Sequence, residues 1–252
     1  MELWKPDSRR TYLPSAFRVL TVDVGGAKQT SDRSAITSWL VELPGPITRR
    51  MEPLFTLEHA ERMPPGVGSE GVADEYCRQL QFYTHRHGSR VLPVVDSNGI
   101  GATVFQILKA RGLRPLGLVA SGAGHEIGQP TFYDAASEVP AAEISVPTSI
   151  MVTRAKALKG NSQVRISQDI TDYDALLAEF VGTPIKHSPS GRSVNFEAAA
   201  GGHDDLVASC LYGLVAADWL LARPMMARLL GNFPVPRARR SGRAVLSAAA
   251  WT

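Results

Sequence analysis

Two cysteines, Cys77 and Cys210, stand far apart in this chain and form no CxxC pair. That argues against a disulfide framework or a cysteine-type structural zinc, and makes a reducing compartment the default. No apolar run approaches the roughly 18 residues needed to cross a bilayer. The opening MELWKPDSRRTYLPS has no apolar core of the secretory kind. No GxxxxGK[ST] occurs, which excludes ATP hydrolysis of the P-loop type. Ser97 and Ser121 lack the GxSxG surroundings of an esterase-type nucleophile. DSNGIG supplies only Gly-x-Gly, with Val104 where a dinucleotide fingerprint has its third glycine.

What is present is an ordinary globular composition. The 252 residues are 44 % hydrophobic and 20 % charged, enough for one large domain with a sizeable core. Lys and Arg exceed Asp and Glu by 27 to 24, and this mild excess tilts toward an anionic partner such as nucleic acid. Arg237, Arg239, Arg240 and Arg243 cluster in PVPRARRSGRAV, which reads either as a solvated tail or as a nucleic-acid arm.

FRVLTVDVGG (17–26) and SAITSWLVELP (34–44) read as two strands of an antiparallel hairpin. MEPLFTLEHAERM (51–63) alternates as a third strand would, a helix being the alternative. Val72, Tyr76, Leu80 and Tyr83 have helical spacing within 71–88. RVLPVVDSNGIG opens as an apolar strand of the kind buried on both faces. A helix (103–111) and a strand (113–121) follow it. Residues 122–146 are Gly-rich and irregular, suggesting a hairpin. Pro147 opens a helix through Leu158, QVRIS is a short edge strand, DYDALLAEF a helix, and SGRSVNFEAAAGG an extended segment or hairpin. The last helix places Leu206, Val207, Cys210, Leu211, Leu214 and Val215 on one apolar face. This order predicts an α/β fold, a mixed sheet with helices on both faces.

The acids stand at the ends of these elements. Asp23 interrupts an apolar strand, where a charge is costly to bury without a partner. Asp96 closes VLPVVD, and Asp204 and Asp205 open the last helix. Strand ends and helix starts meet at the crevice of such a sheet, so these carboxylates can converge. Converging carboxylates repel unless a cation joins them, and all-oxygen ligands suit Mg²⁺ or Mn²⁺. A pair of such ions is the usual apparatus for phosphodiester hydrolysis. Each acid also has a local alternative: Asp23 hydrogen-bonds a nearby turn, Asp96 shapes a turn, and Asp204 and Asp205 cap a helix. His203 reads either as a satisfied surface histidine or, beside the acids, as an auxiliary group that orients water or contacts phosphate.

TVDVGG with SDRSAI, then VVDSNGIGATVFQIL, then GGHDDLVASCLYGLVAADW, in that order over about 17–222, resemble the nuclease domain of tailed-phage large terminase subunits. The resemblance implies a ribonuclease-H-like fold and a metal-dependent endonuclease that cuts concatemeric viral DNA during packaging. It implies Asp23, Asp96 and Asp205 as catalytic metal ligands, Asp204 as an additional ligand, and two Mg²⁺ or Mn²⁺ ions. Asp32 matches an acid common in the family's turn and is read as structural. Residues 122–146 match a variable hairpin near the active site. Lys156, Lys159 and Arg165 are expected DNA-backbone contacts by charge, with Arg237, Arg239 and Arg240 of the tail. Thr148 follows Pro147 where many family members carry lysine.

Further expectations concern context. Residues 1–16 form a lead-in, 17–222 the nuclease domain and 223–252 a basic tail. The family's ATPase motor is missing, which suggests an excised domain or a stand-alone relative. Expected partners are double-stranded DNA, a motor domain, a portal and a small terminase subunit, with no membrane. The expected location is the cytoplasm of an infected or prophage-carrying bacterium. The alternatives are a Holliday-junction-resolvase-like nuclease, an actin- or sugar-kinase-like ATPase suggested by VDVGG, and a non-catalytic DNA-binding domain.

Overall fold

The computed structural model describes residues 16–26, 33–45, 51–86, 90–122, 124, 126–133, 141–187, 194–196 and 204–223. Strand β1 (Ala16–Asp23) pairs antiparallel with β2 (Ala35–Glu42), giving the expected hairpin. β3 (Leu54–Arg62) pairs antiparallel with β2, so the 51–63 segment is a strand and not a helix. A bulge between Ser38 and Trp39 adjusts that register.

Helix α1 (Ser69–Gln81) continues into a π-helical turn (Phe82–Arg86), and β4 (Val91–Asp96) then lies parallel to β1. Helix α2 (Gly101–Ala110) leads to β5 (Leu116–Ser121), again parallel. Within 122–146, β6 (Thr131–Tyr133) pairs antiparallel with β7 (Ala141–Pro147), so part of the irregular segment is a hairpin. Helix α3 (Thr148–Gly160) and the edge strand β8 (Val164–Ile166) follow. Helix α4 (Tyr173–Gly182) precedes a separate pair, β9 (Ile185–His187) and β10 (Val194–Phe196), and α5 (Asp205–Leu221) comes last.

The eight-stranded mixed sheet has the order β6-β7-β5-β4-β1-β2-β3-β8. Alternation along β1 explains its two faces. Val19 joins the cluster under α5, whereas Leu20 and Val22 join the cluster under α1 and α2. Helices therefore cover both faces, as expected of the ribonuclease-H-like α/β class. Neither cysteine is in a disulfide. Among the described residues no helix is long and apolar enough to cross a membrane.

Pro93 sits inside central β4, where it has no N–H to donate. The Tyr76 hydroxyl reaches this gap from α1, donating to the Leu20 carbonyl at 2.7 Å and accepting from the Val94 N–H at 2.9 Å. Buried Tyr76 thus helps hold β1 beside β4 just before both strands end in aspartate.

One expectation needs correction. Helix α5 is not apolar on a single face: every residue from Asp205 to Leu220 is buried. Its small residues let neighbours close in from all sides, and α3 and α4 pack against it across from the sheet. At Gly213 an added Cβ would lie 2.5 Å from Thr21 Oγ1 and 2.7 Å from Trp39 Cδ1. Two of its polar side chains find partners: Ser209 meets Thr37 at 3.0 Å, and Asp218 accepts two bonds from Arg154 at 2.8 and 2.9 Å.

Candidate acidic active site

In the β1–β4 ladder Val22 is in register with Val95, so Asp23 and Asp96 end neighbouring strands at the same edge. Parallel neighbours stand about 4.8 Å apart. Thr21 lies against α5 and Val94 belongs to the cluster beneath it, so the aspartates two residues on share that face. Helix α5 starts there with Asp204 as its N-cap and Asp205 in its first turn.

The electrostatics tie these groups together. Burial is the main cause that drives the Asp23 carboxyl well above its usual range, followed by the charges of Asp96, Asp205 and Asp204 and a hydrogen bond with Asp96. Asp96 is pushed up to about 6, chiefly by burial, against the opposing effect of hydrogen bonds from Asn98 and Asp23. Among the described residues the acids share one field, without three of them closing into a ring of metal ligands.

Asp96 does shape its turn, accepting the Asn98 N–H at 3.0 Å. The capping alternative fails for Asp204, which makes no side-chain capping bond. Instead Glu179 of α4 accepts the Val207 N–H at 2.9 Å, satisfying a donor in the first turn of α5. A carboxylate there also suits the positive end of the helix dipole.

Four positions escape a reading of the sequence alone. Tyr212 lies seven residues beyond Asp205 on the same helical face. Its phenol is pushed well up, first by burial and then by Asp23, Asp96 and Asp204, so it borders the cluster. Arg62, at the end of β3, pairs with Glu179, and its Nε lies 4.0 Å from Asp205 Oδ2. Gly101 is the fourth, and DSNGIG held its signal: a Cβ there would fall 1.9 Å from the Asp96 carbonyl oxygen. Gly101→Ala must therefore move the turn that presents Asp96. The expected cost is about 1–3 kcal/mol of stability, typical of overpacking, together with a loss of any activity that depends on Asp96. Urea denaturation and an activity assay check both; an unchanged protein would show that the turn yields freely.

The structure does not bring every expected residue to the acids. Arg165 is exposed on β8, in register with Thr56, six residues before Arg62 on β3. That separates it from the acidic edge by roughly 20 Å. Helix α3 starts at that edge after Pro147 and runs back toward β8. Exposed Lys156 and Lys159 consequently lie about 12 and 16 Å along its axis. His203, Asp32, Arg237, Arg239 and Arg240 lie outside the described residues.

No family model and no curated protein matches the chain. Its fold is similar to that of a terminase nuclease domain. Against the human cytomegalovirus terminase nuclease domain the identity is 10 % and the TM-score 0.46, covering 84 % of this chain and 86 % of that one. The same viral domain, Mn-soaked and inhibitor-bound, gives 10 % identity and a TM-score of 0.45 over 84 % and 87 % of the two chains.

Proposed function

We propose that this chain is a divalent-metal-dependent endodeoxyribonuclease, acting as in the cutting of concatemeric viral DNA during genome packaging. The observation that carries the reading is the meeting of Asp23, Asp96, Asp204 and Asp205 in one field at the strand ends. Its weight comes from Glu179, which takes over the helix-capping duty that would otherwise explain Asp204.

The chemistry of the donor set suits hard cations, two of them on this reading. It is all oxygen, and the burial and mutual repulsion that raise the Asp23 carboxyl are what a Mg²⁺ or Mn²⁺ ion offsets. Asp23, Asp96 and Asp205 would hold the ions, with Asp204 helping. Bound ions supply Lewis-acid polarisation of a phosphate and acidify a water molecule. The chain supplies the rest: β1 and β4 fix two carboxylates side by side, α5 carries two more, and Tyr212 walls the cluster.

On this reading the substrate is double-stranded DNA, gripped largely through phosphate and hence sensitive to salt. The partners are an ATPase motor, a portal and a small terminase subunit in a bacterial host. Residues 17–222 form the nuclease domain.

Supercoiled plasmid incubated with Mn²⁺, Mg²⁺ or EDTA tests this proposal. The wild type nicks or linearises plasmid with metal and not with EDTA, and Asp205→Asn loses that activity. Intact plasmid under either metal would overturn the reading. A strong preference for four-way junctions would replace packaging with junction resolution.

A further inference from the structure

Arg62 and Glu179 are shielded ionisable groups beside the acids, contributed by β3 and α4. Their side chains are 18 % and 4 % exposed. Both carboxylate oxygens of Glu179 are engaged, one by Arg62 Nη2 and the other by the Val207 N–H. Arg62 Nε lies 4.0 Å from Asp205 Oδ2, a charge contact rather than a hydrogen bond, and its own backbone N–H donates at 2.7 Å to Asp172, which precedes α4. Through the ladder Arg62 pairs with Ala35, and Ala35 with Asp23, so the arginine stands two strands across from that aspartate.

A shielded ion pair is weak evidence for stability, because desolvation offsets much of its attraction. Its location invites a different account. Glu179 fixes the first turn of α5 at Val207, two residues beyond Asp205. The guanidinium bonds Glu179 through Nη2 while its Nε faces Asp205, a planar geometry that a lysine ammonium does not reproduce. Groups that orient metal ligands from behind commonly set the affinity of a site.

We propose that Arg62 and Glu179 are positioning residues that set the Asp205 carboxylate at the acid cluster. The inference rests on the reading of those acids as a metal-holding site. Removing a cation this close would, by charge alone, tighten binding of a divalent metal. A loss of affinity on removing Arg62 therefore reports position rather than field.

Calorimetric titration with Mn²⁺ decides the matter, using the wild type, Arg62→Gln and Arg62→Lys, each with Asp205 intact and with Asp205→Asn. Arg62→Gln is expected to weaken Mn²⁺ binding about tenfold or more. That loss should disappear once Asp205 is already asparagine. Unchanged or tighter binding overturns the proposal, as does an equal loss in the Asp205→Asn background. A fall in the thermal midpoint with Mn²⁺ affinity kept also overturns it, since that is a purely structural role. If Arg62→Gln does not fold, Arg62→Lys carries the test, because it keeps the charge and changes the reach. A wild type that takes up no Mn²⁺ defeats the metal-site reading itself; normal wild-type uptake with unaltered variants defeats the positioning role alone.

Discussion

Asp23→Asn is expected to cut plasmid about a thousandfold more slowly than the wild type while melting at a higher temperature without metal. The loss follows from removing the carboxylate on which the whole cluster acts. Metal-centred charge stabilisation is worth several kcal/mol, and about 4 kcal/mol corresponds to that factor. The gain in stability has a separate cause. Burial and three neighbouring acids hold the folded Asp23 carboxyl well above its ordinary 3.8. At neutral pH the fold must then accommodate a buried charge or keep a proton that the unfolded chain releases. Asparagine does neither, and its amide can donate toward Asp96 in place of the protonated acid. Calorimetric melting in EDTA and a cleavage time course check the two halves. A variant that cuts normally, or that melts several degrees lower, would sink this account.

The second large effect links pH to metal. An acid whose folded pKa exceeds its unfolded value stabilises the fold at low pH, and that contribution is lost as pH rises between the two values. For Asp96 this window runs from 3.8 to about 6. At about 1.4 kcal/mol per pH unit it corresponds to about 3 kcal/mol, with Asp23 acting in the same direction. The metal-free protein is therefore expected to lose stability from pH 4 upward through pH 6. Mn²⁺ should restore it, with a larger rise in melting temperature at pH 7.5 than at pH 5, where protons compete for the same oxygens. Scanning calorimetry with EDTA and with Mn²⁺ at both pH values checks this. An equal or larger metal effect at pH 5 would contradict it.

The clustered acids were legible because each breaks or ends a recognisable pattern. Asp23 interrupts a β-branched run, Asp96 closes an apolar one, and Asp204 and Asp205 open a long apolar helix. Arg62 and Glu179 carry no such mark. LEHAERM and ALLAEF read as ordinary amphipathic segments, and the two residues meet only through the register of β3 and the docking of α4. Charge likewise nominated Lys156, Lys159 and Arg165 but does not say at which end of the sheet a residue falls. The crossover from β7 to β8 decides that, and it carries all three away from the acids. The enclosure of α5 was hidden for another reason. Ala208, Gly213, Ala216 and Ala217 add little to an apolar periodicity, yet small side chains are what let other elements approach so closely.

That enclosure has a consequence for how the protein breathes. Amides of a helix sealed on every side exchange with solvent chiefly when the whole domain opens, whereas exposed loops open locally at little cost. Asp205 and Tyr212 ride on this unit, so one of the four acids and the phenol beside it inherit the lifetime of the fold itself. Control over when such a centre acts then falls to what is allowed to approach it.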